Sequence, residues 1–196
     1  MKFTFKEKKD LFYAGIMISI AFAILLSDGY NGILSSKFYI VFLVAFFTAG
    51  IGFLFHELMH KYVAQSYGLF AEFKAYYKML WFAIIASFFG FIIAAPGAVY
   101  IRGLITKEKN GKISLAGPMT NLVLAVFFLI FILLLKSRGI IGAFLGFGLK
   151  INSLLAAFNM IPVMPFDGAK IIVWNKTIYF ITLILGIGLF VSSWFI

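Results

Sequence analysis

The only two histidines of this chain, His56 and His60, stand four apart around Glu57, in the stretch Phe53-Leu54-Phe55-His56-Glu57-Leu58-Met59-His60-Lys61. Positions four apart share one face of a helix, so both imidazoles can reach a single metal ion with a carboxylate beside them to handle a proton. That is the equipment of metal-assisted hydrolysis. The flanking residues are apolar enough to be membrane-embedded, and ionisable groups in such a span are costly unless they serve a purpose. With two histidines and four glutamates in the chain, a shuffled sequence contains this pattern roughly once in a few thousand trials. The plainer reading, two histidines hydrogen-bonded to neighbouring helices without a metal, leaves a costly cluster of polar groups unexplained.

Two histidines do not complete a catalytic zinc site, which takes three protein ligands and keeps one position open. There is no cysteine, so thiolate ligands, disulfides and Fe–S clusters are excluded. The remaining acidic residues are Glu7, Asp10, Asp28, Glu72, Glu108 and Asp167. Only Asp167 has a distinctive setting, Asn159-Met160-Ile161-Pro162-Val163-Met164-Pro165-Phe166-Asp167-Gly168. This stretch follows an apolar run directly, and its two prolines force non-helical backbone at the membrane edge. Alone, Asp167-Gly168 reads as an ordinary turn. Beside a histidine pair lacking a third ligand, it reads as that ligand.

The composition sets the environment. Hydrophobic residues make up 63% of the chain and charged residues 12%, with a mean hydropathy of +1.06. Soluble domains are about 45–50% apolar and about 25% charged, so this is the composition of a polytopic membrane protein. The net charge of +10 sits in short loops between apolar runs, the pattern of basic cytoplasmic loops rather than of a nucleic-acid surface. The sequence predicts an all-α membrane protein of a single domain over 1–196, with no separately folding soluble module and no internal repeat. No cleavable signal peptide is read, and the run from Leu11 is taken as a true span.

A span needs about 20 mostly apolar residues, and five runs qualify: 11–27, 38–60, 113–135, 139–158 and 177–196. A sixth, 79–95, either crosses or enters and returns. It softens at Ser87 and Gly90 and ends in Ala94-Ala95-Pro96-Gly97, chemistry that opposes a continued helix. With a cytoplasmic amino terminus and a re-entrant 79–95, thirteen Lys/Arg fall inside and three, Lys37, Lys136 and Arg138, outside. A crossing segment leaves nine against seven, so the positive-inside rule favours re-entry. Depth favours it too. His56 lies 18 residues beyond Phe38, about 27 Å of helix and near the far edge of the core. Asp167 reaches that edge only if the span ending near Asn159 runs the same way.

His56-Glu57-Leu58-Met59-His60, Gly117-Pro118-Met119-Thr120-Asn121 and Asn159-x-x-Pro162-x-x-Pro165-x-Asp167-Gly168 together resemble the site-2 protease family of intramembrane zinc metalloproteases, over about residues 38–175. The pairing of HExxH with a distant Asp-Gly motif carries the specificity. The resemblance implies one Zn2+ per chain on His56, His60 and Asp167, with Glu57 as catalytic base. It also implies that Asn159 holds the substrate or transition state. Met59 departs from the small residue common before the second histidine, and no PDZ or CBS module accompanies the core.

The activity expected is hydrolysis of a peptide bond within or beside a transmembrane segment of a protein substrate, in the lipid bilayer and without nucleic acid. Glu57 and Asn159 are the catalytic candidates, and Asn121, Pro165 and Gly168 are candidates for substrate-binding or supporting roles. For Asn121 an interhelical hydrogen bond fits as well as an active-site role. Lys150, mid-span, reads as a side chain that snorkels or pairs. The alternatives are a prenyl-protein type of membrane metalloprotease, and an inactive metal-binding scaffold or transporter. The first needs a glutamate as third ligand, and only Glu72 and Glu108 follow the motif without support. Against the second stands Glu57, a base that a pure binding site does not need.

Overall fold

Thr4 opens the first helix, α1 (Phe5–Leu26), by accepting the Glu7 N–H on its hydroxyl at 3.1 Å, one of the donors a helix start leaves unpaired. The computed structural model describes residues 1–27, 29–92 and 96–196; Asp28 and the end of the 79–95 run lie outside the described residues. Along the chain follow α2 (Tyr30–Ile33), α3 (Phe38–Ala45), a π-helical turn (Phe46–Gly50), α4 (Ile51–Ser66), β1 (Phe70–Ala75), α5 (Tyr77–Ser87) and β2 (Gly97–Arg102). The remainder is α6 (Lys107–Leu135), α7 (Gly139–Asn159), α8 (Asp167–Trp174) and α9 (Lys176–Ser192). The chain divides into two compact units, Met1–Leu54 with Glu72–Tyr100, and Phe55–Ala71 with Ile101–Ile196.

Among the described residues, four helical segments are long and apolar enough to span a membrane: Phe5–Leu26, Phe38–Ser66, Lys107–Leu135 and Gly139–Asn159. Four of the five expected runs are therefore helices of spanning length. The fifth, 177–196, forms α9, whose 17 residues reach about 26 Å, a little short of the hydrocarbon core. Among the described residues, helix in the sixth run is confined to α5, 11 residues long, about 16 Å.

In the first unit, α1 meets the span Phe38–Ser66 through small residues. A Cβ on Gly50 would run into the Ser19 hydroxyl, and one on Gly15 would lie 2.9 Å from Leu54, so these glycines permit close helix approach. The all-α expectation misses one feature, a two-stranded sheet of β1 and β2. Gly68 at φ 73° ends the preceding helix, and Phe70 to Ala75 then run extended. Their amides meet carboxylates from α1. Glu7 accepts the Phe73 N–H at 2.9 Å, and Asp10 accepts the Ala75 N–H at 3.3 Å and the Tyr77 hydroxyl at 2.7 Å. Two buried acids near the start of a membrane helix thus pair with backbone donors, as buried carboxylates must.

In the second unit α6 and α7 form a helical hairpin, turned by Lys136 at φ 45° and Gly139 at φ 65°. Ala125, Phe128, Leu145 and Leu149 make its core, and Gly148 lets the Phe128 ring lie against the α7 backbone. Met160, Ile171 and Tyr179 form a second core under α8. Large apolar side chains such as Val123, Phe127, Leu133, Ile181 and Ile184 face outward, while Asn121, Asn152 and Ser153 are fully enclosed. Apolar outside and polar inside is the arrangement that lipid demands.

Candidate metal centre

The α4 helix carries His56 and His60 on one face, their ring centroids 4.6 Å apart, as the i, i+4 spacing predicts. Each ring is fixed by its Nδ1. That of His56 lies 2.6 Å from Asn121 Oδ1, and that of His60 lies 2.8 Å from the carbonyl oxygen of Ile113. A backbone carbonyl only accepts, so the His60 Nδ1 carries the hydrogen and its Nε2 keeps a bare lone pair.

Asp167 meets those two Nε2 atoms. Its Oδ2 is 3.4 Å from His56 Nε2 and 3.1 Å from His60 Nε2. The prolines before Asp167 end α7 at Asn159 and let the chain re-enter as α8, with Asp167 in its first turn. Gly168 is required for that path, because a Cβ there would collide with the Met160 carbonyl. Lys170, one turn on, has its Nζ 3.5 Å from Asp167 Oδ1.

These groups fit a tetrahedral zinc site. Among the described residues His56, His60 and Asp167 form a buried cluster whose ligand atoms lie within 4.8 Å of one another. The nitrogen and oxygen donors are of the kinds zinc takes. Each histidine uses its other nitrogen for a supporting hydrogen bond, the usual arrangement behind a ligated imidazole. Space is reserved as well, since a Cβ on Gly117 would clash with the Nε2 atoms of both His56 and His60. Glu57, 9% exposed, adjoins His56 in sequence.

The other expected site residues divide. Asn121 is fully buried, with its Oδ1 facing His56 Nδ1 and its Nδ2 donating to Asn152 Oδ1 on α7 at 3.0 Å. Asn159 is half-buried, and its amide donates to the Leu155 carbonyl of its own helix at 2.9 Å. Pro165, exposed, follows a cis peptide bond. Lys150 places its ammonium over the Trp194 ring, 3.7 Å from the centroid, so its pairing is with an aromatic face. Asn152 was missed by sequence reasoning. Its signal was present, an amide at the middle of an apolar span, where a polar group needs a partner.

No family model matches the chain, and no solved structure matches it. Three curated proteins are similar. The protein of Methanocaldococcus jannaschii named Putative zinc metalloprotease MJ0611 is 44% identical over 159 residues, 79% of this chain and 83% of the relative. Zinc metalloprotease MJ0392 of the same organism is 31% identical over 134 residues, 66% of this chain and 33% of the relative. Putative zinc metalloprotease YwhC of Bacillus subtilis is 29% identical over 143 residues, 64% of this chain and 65% of the relative. The chain thus aligns with most of the first, a third of the second and just under two thirds of the third.

Proposed function

This chain belongs to a family of zinc metalloproteases, and from that premise we propose that it is an intramembrane protease of the site-2 type, cleaving peptide bonds in or next to transmembrane segments of membrane proteins. The observation that carries the proposal is the meeting of His56 Nε2, His60 Nε2 and Asp167 Oδ2 on helices otherwise built for lipid. A soluble protease has no need to enclose its metal ligands among spans of this length and hydrophobicity.

His56, His60 and Asp167 hold the zinc in this reading. Zinc there supplies Lewis acidity, which polarises the scissile carbonyl and eases removal of a proton from water. Glu57 takes that proton and returns it to the departing amine. Asn159 donates a hydrogen bond to the carbonyl oxygen as negative charge develops on it, a contribution of about 3–4 kcal/mol for a typical donor of this kind. The Asn159 amide holds the Leu155 carbonyl in the resting chain, so it must turn from its own helix to do so. The substrate helix must unwind locally, because its peptide bonds are shielded by their own hydrogen bonds.

The amino terminus and the site face the cytoplasm in this proposal, with 79–95 entering and returning. Loop charge supports that arrangement. The shortness of α5 supports it too, since 11 residues are too few to cross a core of about 30 Å.

The test is cleavage in proteoliposomes of a single-span substrate with a helix-destabilising residue in its membrane segment. Wild-type protein should release a product whose new terminus maps inside or beside that segment, and Glu57→Gln should release none. Zinc retention without cleavage of any such substrate would favour the inactive metal-binding scaffold.

A further inference from the structure

His60 receives its tautomer directly from a backbone carbonyl, but His56 does not. Its Nδ1 faces a side-chain amide, Asn121, whose oxygen and nitrogen ends could exchange by a half-turn. If the nitrogen end faced His56, the imidazole would have to accept at Nδ1 and carry its hydrogen on Nε2. That tautomer has no lone pair for a metal. Something must fix the orientation of Asn121.

We propose that Asn152 is a positioning residue that dictates the His56 tautomer through Asn121. The relay starts at the Gly148 carbonyl, 2.9 Å from Asn152 Nδ2. A carbonyl oxygen only accepts, so Asn152 must turn its NH2 toward it and its Oδ1 away. Asn152 Oδ1 lies 3.0 Å from Asn121, which must therefore present its own NH2 there and its Oδ1 to His56. That oxygen is 2.6 Å from His56 Nδ1, so Nδ1 is the N–H and Nε2 is bare. Each group takes its role from the one before. Both asparagines are 0% exposed, so water cannot substitute for a missing link. The inference rests on the zinc site proposed above and extends it to a helix that contributes none of the three ligands.

The chain has only two histidines, so selective 15N-histidine labelling gives a spectrum of two residues. The metal-free protein is measured in detergent at alkaline pH in an Asp167→Ala background, so that no carboxylate competes for the Nε2 hydrogens. Both histidines of this background should show the Nδ1–H form. In Asn152→Leu, His56 should lose that preference while His60, held by Ile113, keeps it. Asn152→Ala removes the same oxygen without bulk and serves if the leucine variant does not fold. Asn152→Asp keeps an acceptor facing Asn121 and should keep the wild-type tautomer. A His56 that remains Nδ1–H in the folded leucine or alanine variant overturns the relay.

Zinc affinity gives the second arm. Asn152→Leu should weaken it on the order of 10–100-fold, as for other groups behind a ligand. In an Asn121→Ala background the same change should cost less than about threefold, since the relay is already cut. Equal losses in the two backgrounds would assign Asn152 to packing alone and overturn the proposal. Neither arm needs cleavage, so a failure of the protease reading leaves a distinct signature: the tautomers behave as stated and no substrate is cut.

Discussion

Asp167 Oδ2 lies 3.1 Å from His60 Nε2, although the two residues come from α8 and α4 with the α6–α7 hairpin between them in sequence. A carboxylate and a tautomer-fixed imidazole at this separation, with His56 at 3.4 Å from the same oxygen, leave room for an ion about 2.0–2.2 Å from each donor atom.

Purified protein should therefore carry close to one zinc per chain, read by elemental analysis. Asp167→Ala and His56→Ala should each lose most of it after dialysis against a mild chelator. Full retention by the Asp167 variant would remove that residue from the ligand set.

Glu57 should separate binding from chemistry. Glu57→Gln keeps size and burial but not the base, so zinc content should match wild type while cleavage falls by about 10²–10⁴-fold, the scale of a lost general base. Loss of zinc in this variant would mean that Glu57 supports the ligands rather than the reaction.

Gly117 should be the most sensitive glycine in α6. The methyl group of Gly117→Ala would occupy the space beside both Nε2 atoms, so zinc binding should drop below detection even if the helix persists. Gly146→Ala is the control, since a Cβ there meets nothing within 4 Å. Equal zinc in the two variants would show that the site tolerates a Cβ at 117.

Topology is open to labelling. In a functional variant, Lys2→Cys and Lys107→Cys should react from one side of sealed vesicles and Lys136→Cys from the other. Labelling of positions 2 and 107 from opposite faces would mean that 79–95 crosses the bilayer.

The acids of α1 make a structural prediction. Glu7→Ala removes the acceptor of the Phe73 amide and leaves a buried donor unpaired, at a cost of about 1–3 kcal/mol. Exchange of the Phe73 amide with deuterium should quicken first. An unchanged exchange rate would show that β1 does not depend on this carboxylate.

The sequence by itself determined the parts that depend on local spacing and composition. The i, i+4 histidines needed only a helix to share a face, and hydropathy alone located the four long spans. The Asp167 setting was legible because its prolines exclude helix and few other acids were available. What the tertiary structure alone decided is how these parts meet. Hydropathy is blind to β1 and β2, because a short alternating segment beside long apolar runs gives too weak a signal. Equally hidden was the line from Gly148 through Asn152 and Asn121 to His56, since hydrogen-bond direction depends on which atoms touch across helices. Local pattern can place a lone pair on a helix face. Only packing determines which nitrogen keeps it.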